Sequence, residues 1–175
     1  MSQNIEIKAY YPDLNAGQQK AKSLQSRLLG KDHQVDTYFN VPEGRLKLRE
    51  SSLSGNMLIP YLRGDQTAAT DSDYILLPVS DVKTTKRLLE KMLGTRLVVE
   101  KERTIFLWQN VRIHLDRVKQ LGNFLEFEAV VDEQHPAQVC REQVAFLLKH
   151  FEISETNLIA ESYADLLEKQ SGQTQ

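Results

Sequence analysis

The chain has 175 residues, with 22 Lys and Arg against 24 Asp and Glu, for a formal net charge of −2. That balance excludes a generally basic protein of the histone or ribosomal kind, and 41% hydrophobic with 26% charged residues excludes an intrinsically disordered chain. The single cysteine, Cys140, excludes an intrachain disulfide and a thiolate zinc cluster. No run approaches the roughly 18 apolar residues of a membrane span. Met1 to Glu6 carries no apolar signal-peptide core, so the expected location is the cytoplasm.

Alternation of apolar and polar residues dominates the chain. Asn4 to Tyr11 predicts a strand, with Ile5, Ile7 and Ala9 on one face and Asn4, Glu6 and Lys8 on the other. Asp13 to Leu29 predicts a helix capped by Asp13 and stopped by Gly30. Gln34 to Val41 reads as a strand, and Pro42-Glu43-Gly44 as a turn. Arg45 to Arg49 alternates again. A hairpin turn at Ser51 to Asn56 leads to a strand over Met57 to Arg63, then a polar loop over Gly64 to Ser72. A strand over Asp73 to Val79 precedes a helix over Asp81 to Leu93, closed by Gly94. Strands follow at Val98 to Trp108, Val111 to Val118 and Asn123 to Val131, then helices at Pro136 to His150 and Ala160 to Lys169. Without a linker in the middle, residues 1–170 read as one domain and 171–175 as a polar tail. Short links between neighbouring strands mean mainly antiparallel pairing, and the class is α+β.

The charged strand faces are ordered. Arg45, Lys47 and Arg49 recur on one strand, Lys101 and Arg103 on another, and Lys8, Arg63 and Arg112 add to them. Acids sit at Glu6, Asp116, Glu126 and Glu128. Like charges on one face repel, and a chain of net charge −2 has no general excess of base to explain such clusters. An anion with several charges would explain them. The predicted strands, about eight, are the number that closes a small barrel. With the charged faces inward and helices packed outside, cations and carboxylates line a tunnel. Burial on that scale needs pairing, water or a ligand. A polyphosphate with Mg²⁺ matches: Arg and Lys clamp phosphate oxygens, and Mg²⁺ needs only one or two carboxylates beside them.

These segments resemble the CYTH superfamily, the triphosphate tunnel metalloenzymes, over roughly Asn4 to Leu167. Asn4-Ile5-Glu6-Ile7-Lys8 is similar to the family's opening Glu-x-Glu-x-Lys strand. Gln34-Val35-Asp36-Thr37-Tyr38-Phe39 and Arg45-Leu46-Lys47-Leu48-Arg49-Glu50 resemble its second and third strands. Lys101 and Arg103 match its paired basic residues. His114-Leu115-Asp116-Arg117-Val118 with Leu121-Gly122-Asn123-Phe124-Leu125-Glu126-Phe127-Glu128 resembles the bacterial cyclase-like branch most closely.

The resemblance implies an eight-stranded antiparallel tunnel acting on a triphosphate with Mg²⁺ or Mn²⁺. By that carry-over, Glu6, Glu126 and Glu128 are metal ligands. Lys8, Arg45, Lys47, Arg49, Arg63, Lys101, Arg103 and Arg112 grip phosphates. Asp116 is a further metal ligand or orients a basic residue, and Glu6, Lys8, Lys101, Arg103 and Asp116 form the expected catalytic set. The implied activity is that of class IV adenylyl cyclases, ATP to cyclic AMP and pyrophosphate. The alternatives are a phosphohydrolase of inorganic, thiamine or nucleoside triphosphate, and a non-catalytic polyphosphate-binding module.

Two positions depart from the pattern. Asn4 stands where the family has its first glutamate; its amide oxygen can coordinate but brings one negative charge less. The loop Gly64 to Ser72 carries no lysine. Of the remaining residues, His114 reads as a hydrogen-bonded tunnel histidine before a general base, and Cys140 as a small buried apolar group. Tyr38 and Tyr61 line the tunnel or pack the core. Lys83, Lys86, Arg87 and Lys91 read as the solvated face of a helix rather than a nucleic-acid patch. Expected partners are a triphosphate or nucleotide, with neither nucleic acid nor membrane. Some members of the family are dimers, but no apolar interface stripe is evident here.

Overall fold

The computed structural model describes residues 4–62 and 73–172. Arg63 and the predicted loop over Gly64 to Ser72 lie outside them, as do residues 173–175 of the predicted tail. In chain order the elements are β1 (Asn4–Tyr10), α1 (Leu14–Ser23), β2 (Arg27–Phe39), β3 (Arg45–Ser51), β4 (Met57–Leu62), β5 (Asp73–Tyr74) and β6 (Leu77–Pro78). Then come α2 (Val82–Leu93), β7 (Thr95–Trp108), β8 (Val111–Val118), β9 (Gly122–Val130), α3 (Ala137–His150), β10 (Leu158–Ile159) and α4 (Tyr163–Gly172). The class is α+β, with antiparallel strands and four helices. The chain forms two compact units, one of Met1–Lys31 with Glu102–Gln175 and one of Asp32–Lys101.

In the first unit the strand order is β10-β1-β9-β8-β7. The register puts Ile5 opposite Ala129, Ile7 opposite Phe127, and Phe127 opposite Ile113. These alternate residues share one face. Val111, Ile113, Leu115, Leu125, Phe127 and Ala129 are buried there with Ala21 from α1 and with Cys140, Val144, Leu147 and Phe151 from α3 and its end. Strand period two therefore sends Glu6, Lys8, Arg112, His114, Asp116, Glu126 and Glu128 to the opposite face. Helix α1 lies close on β8: a Cβ on Gly17 would stand 2.9 Å from Leu115 Cδ2 and 3.0 Å from Tyr11 Cε1.

The second unit carries the order β7-β2-β3-β4-β5, with β6 also on β4. Asp36 faces Arg49, Tyr38 faces Lys47, and Arg45 faces Tyr61 in register. Leu48, Phe39, Ile59 and Val99 are among its buried apolar residues, with Tyr38.

Several element boundaries differ from expectation: β2 starts at Arg27 rather than Gln34, β7 at Thr95 rather than Val98, and three further cases have a visible cause or consequence. Helix α1 starts as predicted, with Asp13 Oδ1 accepting from the Ala16 N–H at 2.9 Å, but it ends at Ser23 rather than Leu29. The Ser26 hydroxyl donates to the Ala21 carbonyl at 2.6 Å, Gln25 takes φ 55°, and β2 begins at Arg27. Leu24 and Leu28 therefore belong to different elements, and Leu28 is exposed. The strand predicted over Asp73 to Val79 is two pieces of two residues, each on β4. Pro60 of β4 has no N–H to donate where Ile75 passes, and the ladder breaks there. The last helix runs from Tyr163 and includes Ser171 and Gly172, both expected in the tail, and β10 precedes it. With these short pieces the described residues hold ten strands rather than eight. Among the described residues no helix is long and apolar enough to cross a membrane.

Candidate active site

Three strands build the charged face of the first unit. Along β1–β9–β8, Glu6 pairs with Glu128 and Glu128 with Arg112; on the next rung of that face Lys8 pairs with Glu126 and Glu126 with His114. Arg103 comes from β7 and Tyr163 from the first turn of α4.

Glu126 is the hub. His114 Nδ1 stands 2.9 Å from its Oε1, Arg103 Nη2 3.3 Å from the same oxygen, and Lys8 Nζ 3.5 Å from Oε2. Burial alone would raise the Glu126 carboxyl; the Arg103 charge, the His114 hydrogen bond and the Lys8 charge overcome it and hold the group well below the carboxylate range. An ionised carboxylate only accepts, so the His114 proton sits on Nδ1. Burial and the Arg103 charge keep the imidazole below its ordinary value, hence neutral near pH 7. Its Nε2 lies 3.8 Å from Glu128 Oε2.

Arg103 grips Asp116 with two bonds, Nε to Oδ1 at 2.7 Å and Nη2 to Oδ2 at 2.6 Å. Tyr163 Oη donates to the same Oδ2 at 2.7 Å, and Lys8 Nζ sits 4.6 Å from the centre of the Tyr163 ring. Asp116 has no exposed surface. Both of its oxygens are engaged by Arg103 and Tyr163. Glu128 accepts from Asn4 Nδ2 at 2.7 Å and lies 3.2 Å from Arg112 Nη1. Glu6 keeps 54% of its side-chain surface accessible, with Lys8 Nζ 3.9 Å away. The Glu126 charge first, and desolvation second, push the Glu6 carboxyl up to about 7. With half its surface open, the repulsion is the dominant cause.

The second unit builds a cationic row. Asp36 is 2% exposed and accepts from Arg49 Nε at 2.7 Å, Arg49 Nη2 at 2.6 Å and Lys47 Nζ at 3.2 Å. Burial opposes its ionisation, but Lys47, Arg49 and Lys101 prevail and hold it well below the carboxylate range. Lys47 lies 5.6 Å over Tyr38, and Arg45 6.0 Å over Tyr61. Burial raises both phenols, which stay neutral. Lys101 is 5% exposed.

The predicted residues thus assemble in two sets: Glu6, Lys8, Arg103, Arg112, Asp116, Glu126 and Glu128 in one unit, and Arg45, Lys47, Arg49 and Lys101 in the other. Arg63 falls outside the described residues. Tyr163 was not anticipated, since nothing in its local sequence ties it to Asp116. Asp36 stood in the motif without a role; an acid opposite a strand of alternating bases was the available signal.

For a divalent ion the donor chemistry fits. Glu6, Glu126 and Glu128 offer hard oxygens, and Asn4 Oδ1 is buried with no hydrogen-bond partner among the described residues. No group of three or more His, Cys, Asp or Glu among the described residues converges on one point. A Mg²⁺-type site does not require that, because it fills its shell with water and phosphate oxygens.

The CYTH domain family matches residues 2–163. The chain belongs to that family. A Methanocaldococcus jannaschii protein named a putative adenylate cyclase is 27% identical over 171 residues, covering 93% of this chain and 97% of its own. The solved structure of a Pyrococcus horikoshii protein superposes with a TM-score of 0.81 at 21% identity, over 95% of this chain and 99% of that one. A Hippeastrum protein, described as a putative adenylyl cyclase with a dominant triphosphatase activity, superposes with a TM-score of 0.62 at 14% identity, over 98% and 96%. The CYTH chain described here shares the fold of these two solved structures.

Proposed function

We propose that this chain is a metal-dependent enzyme acting on a triphosphate, with the reaction of a class IV adenylyl cyclase: the ATP 3′-hydroxyl attacks the α-phosphorus and pyrophosphate leaves. The observation that supports it is the shared face on which Glu6, Glu126 and Glu128 alternate with Lys8 and Arg112. It offers oxygens for a cation and cations for phosphates on adjacent rungs. The name of the Methanocaldococcus relative points the same way.

In this reading Glu6, Glu126 and Glu128 hold Mg²⁺ or Mn²⁺, which would lower the pKa of the attacking hydroxyl and screen the phosphates. Lys8 and Arg112 bind phosphate oxygens, as do Arg45, Lys47, Arg49, Arg63 and Lys101. Arg103, fixed by Asp116, supplies positive charge to the same face and stabilises the leaving pyrophosphate without reorganising. Asp116 is a positioning residue, and His114 keeps Glu126 ionised and aimed. The protein would act in the cytoplasm, on a soluble nucleotide.

A second reading, triphosphate hydrolysis, is favoured by the activity described for the Hippeastrum protein. The residues keep their roles, and water attacks the terminal phosphorus.

Purified protein incubated with ATP, and separately with inorganic triphosphate, each with Mg²⁺ or Mn²⁺, tests both. Cyclic AMP with pyrophosphate supports the cyclase, and orthophosphate moves the assignment to the hydrolase. Polyphosphate binding with no product under either metal overturns both in favour of a binding module.

A further inference from the structure

Asn4 is the position at which the opening acidic motif of this chain departs from its family, and the structure gives that departure a geometry. Asn4 stands two residues before Glu6 on the same face of β1, opposite Val130, while Glu6 stands opposite Glu128. Its amide nitrogen donates to Glu128 Oε1 at 2.7 Å. Arg112 Nη1 reaches the same oxygen at 3.2 Å. Because an ionised carboxylate only accepts, the amide has one sensible orientation, nitrogen toward Glu128 and oxygen away from it. That oxygen is buried and accepts no hydrogen bond among the described residues. Buried carbonyl-type oxygens are ordinarily satisfied. A carboxylate in this place would set a charged oxygen against Glu128, and a cation would be needed to relieve it.

We propose that Asn4 has two linked roles: its N–H presets Glu128 before any ion arrives, and its amide oxygen serves the ion as a neutral ligand. The carboxylate face is then stable without metal, and the ion binds against one charge less than an acid at position 4 would supply. Amide carbonyl oxygens are ordinary partners for hard divalent cations. The inference rests on the metal-binding reading above.

The test uses the full chain, MnCl₂ as probe, and two readouts independent of turnover: Mn²⁺ affinity from the electron paramagnetic resonance of free ion, and the melting temperature with and without Mn²⁺. Wild type, Asn4→Asp and Asn4→Leu are compared, with Asn4→Ala replacing the leucine variant if that one does not fold. Asn4→Leu is expected to keep its fold and lose about tenfold or more in Mn²⁺ affinity. Asn4→Asp is expected to melt below wild type in metal-free buffer, to recover with Mn²⁺, and to bind Mn²⁺ more tightly. Wild-type affinity in Asn4→Leu, or a metal-free melting temperature in Asn4→Asp equal to that of wild type, overturns the proposal and leaves the functional reading standing. A wild-type protein that binds no Mn²⁺ removes both.

Discussion

Arg103 on Asp116 in the first unit and Arg49 on Asp36 in the second are the same fork, each closed by bonds of 2.6 and 2.7 Å. Their surroundings differ. Arg103 is 9% exposed, and the buried acid Glu126 stands beside it as well as Asp116. Asp36 instead faces Lys47 and Arg49 together, with side chains 15% and 22% exposed. In one unit two acids hold the cation, which fixes where its charge stands and helps to hold the face together. In the other the acid is what the cations share, Lys47 and Arg49 both closing on Asp36. An identical contact thus serves cohesion in one place and presentation in the other, and the excess of charge around it decides which.

The largest expected effect breaks the first fork. Arg103→Met leaves Asp116 and Glu126 buried without their cation and should cost about 3–5 kcal/mol in urea unfolding. Arg49→Met leaves Asp36 with Lys47 and should cost less, roughly 1–3 kcal/mol. Equal costs would mean that the two forks do the same job. Next come the kinetics. Glu126→Gln should lower kcat by about a hundredfold, whereas Lys47→Ala should act mainly through KM. The reverse split would exchange the roles given to the two units.

Acid–base titration separates the units by sign. Asp36 is depressed, so its contribution to stability is present above the ordinary aspartate value of 3.8 and is lost as pH falls through its lower folded value. Glu6 is raised, so its contribution is full below the ordinary 4.5 and is lost as pH rises through about 7. Carbon-13 carboxyl shifts in metal-free protein should show Glu6 titrating near neutrality and Asp36 still ionised in mild acid. The smallest effect lies away from both charge sets: Gly17→Ala should cost about 1 kcal/mol through overpacking on Leu115 and Tyr11, with turnover unchanged.

Period two was legible because each strand of the first unit has one face packed on helices. Ile5, Ile7, Ile113, Leu115, Leu125 and Phe127 could hardly sit elsewhere, and Glu6, Lys8, Arg112, Glu126 and Glu128 followed from them. The end of α1 was not legible. Leu24 and Leu28 fit a helical stripe by spacing, and only the Ser26 bond to the Ala21 carbonyl shows that the chain has turned. The pieces β5, β6 and β10 are too short for any period to register. Within the site, ladder neighbours could be guessed from alternation. The Tyr163–Asp116 bond joins residues 47 apart, from a helix to a strand, and no local pattern encodes that.

Among the described residues β1 pairs with β9 and β10, more than a hundred residues later, and Tyr163 supports Asp116 from later still. During synthesis Glu6 and Lys8 leave the ribosome more than a hundred residues before β9, and their face cannot be completed until α4 has begun to emerge. A nascent chain stalled before that point would present the alternating edge of β1 with no neighbour to cover it. Its charged residues, set between the apolar ones, then act as a safeguard against sticking to other chains until β9 and β10 arrive.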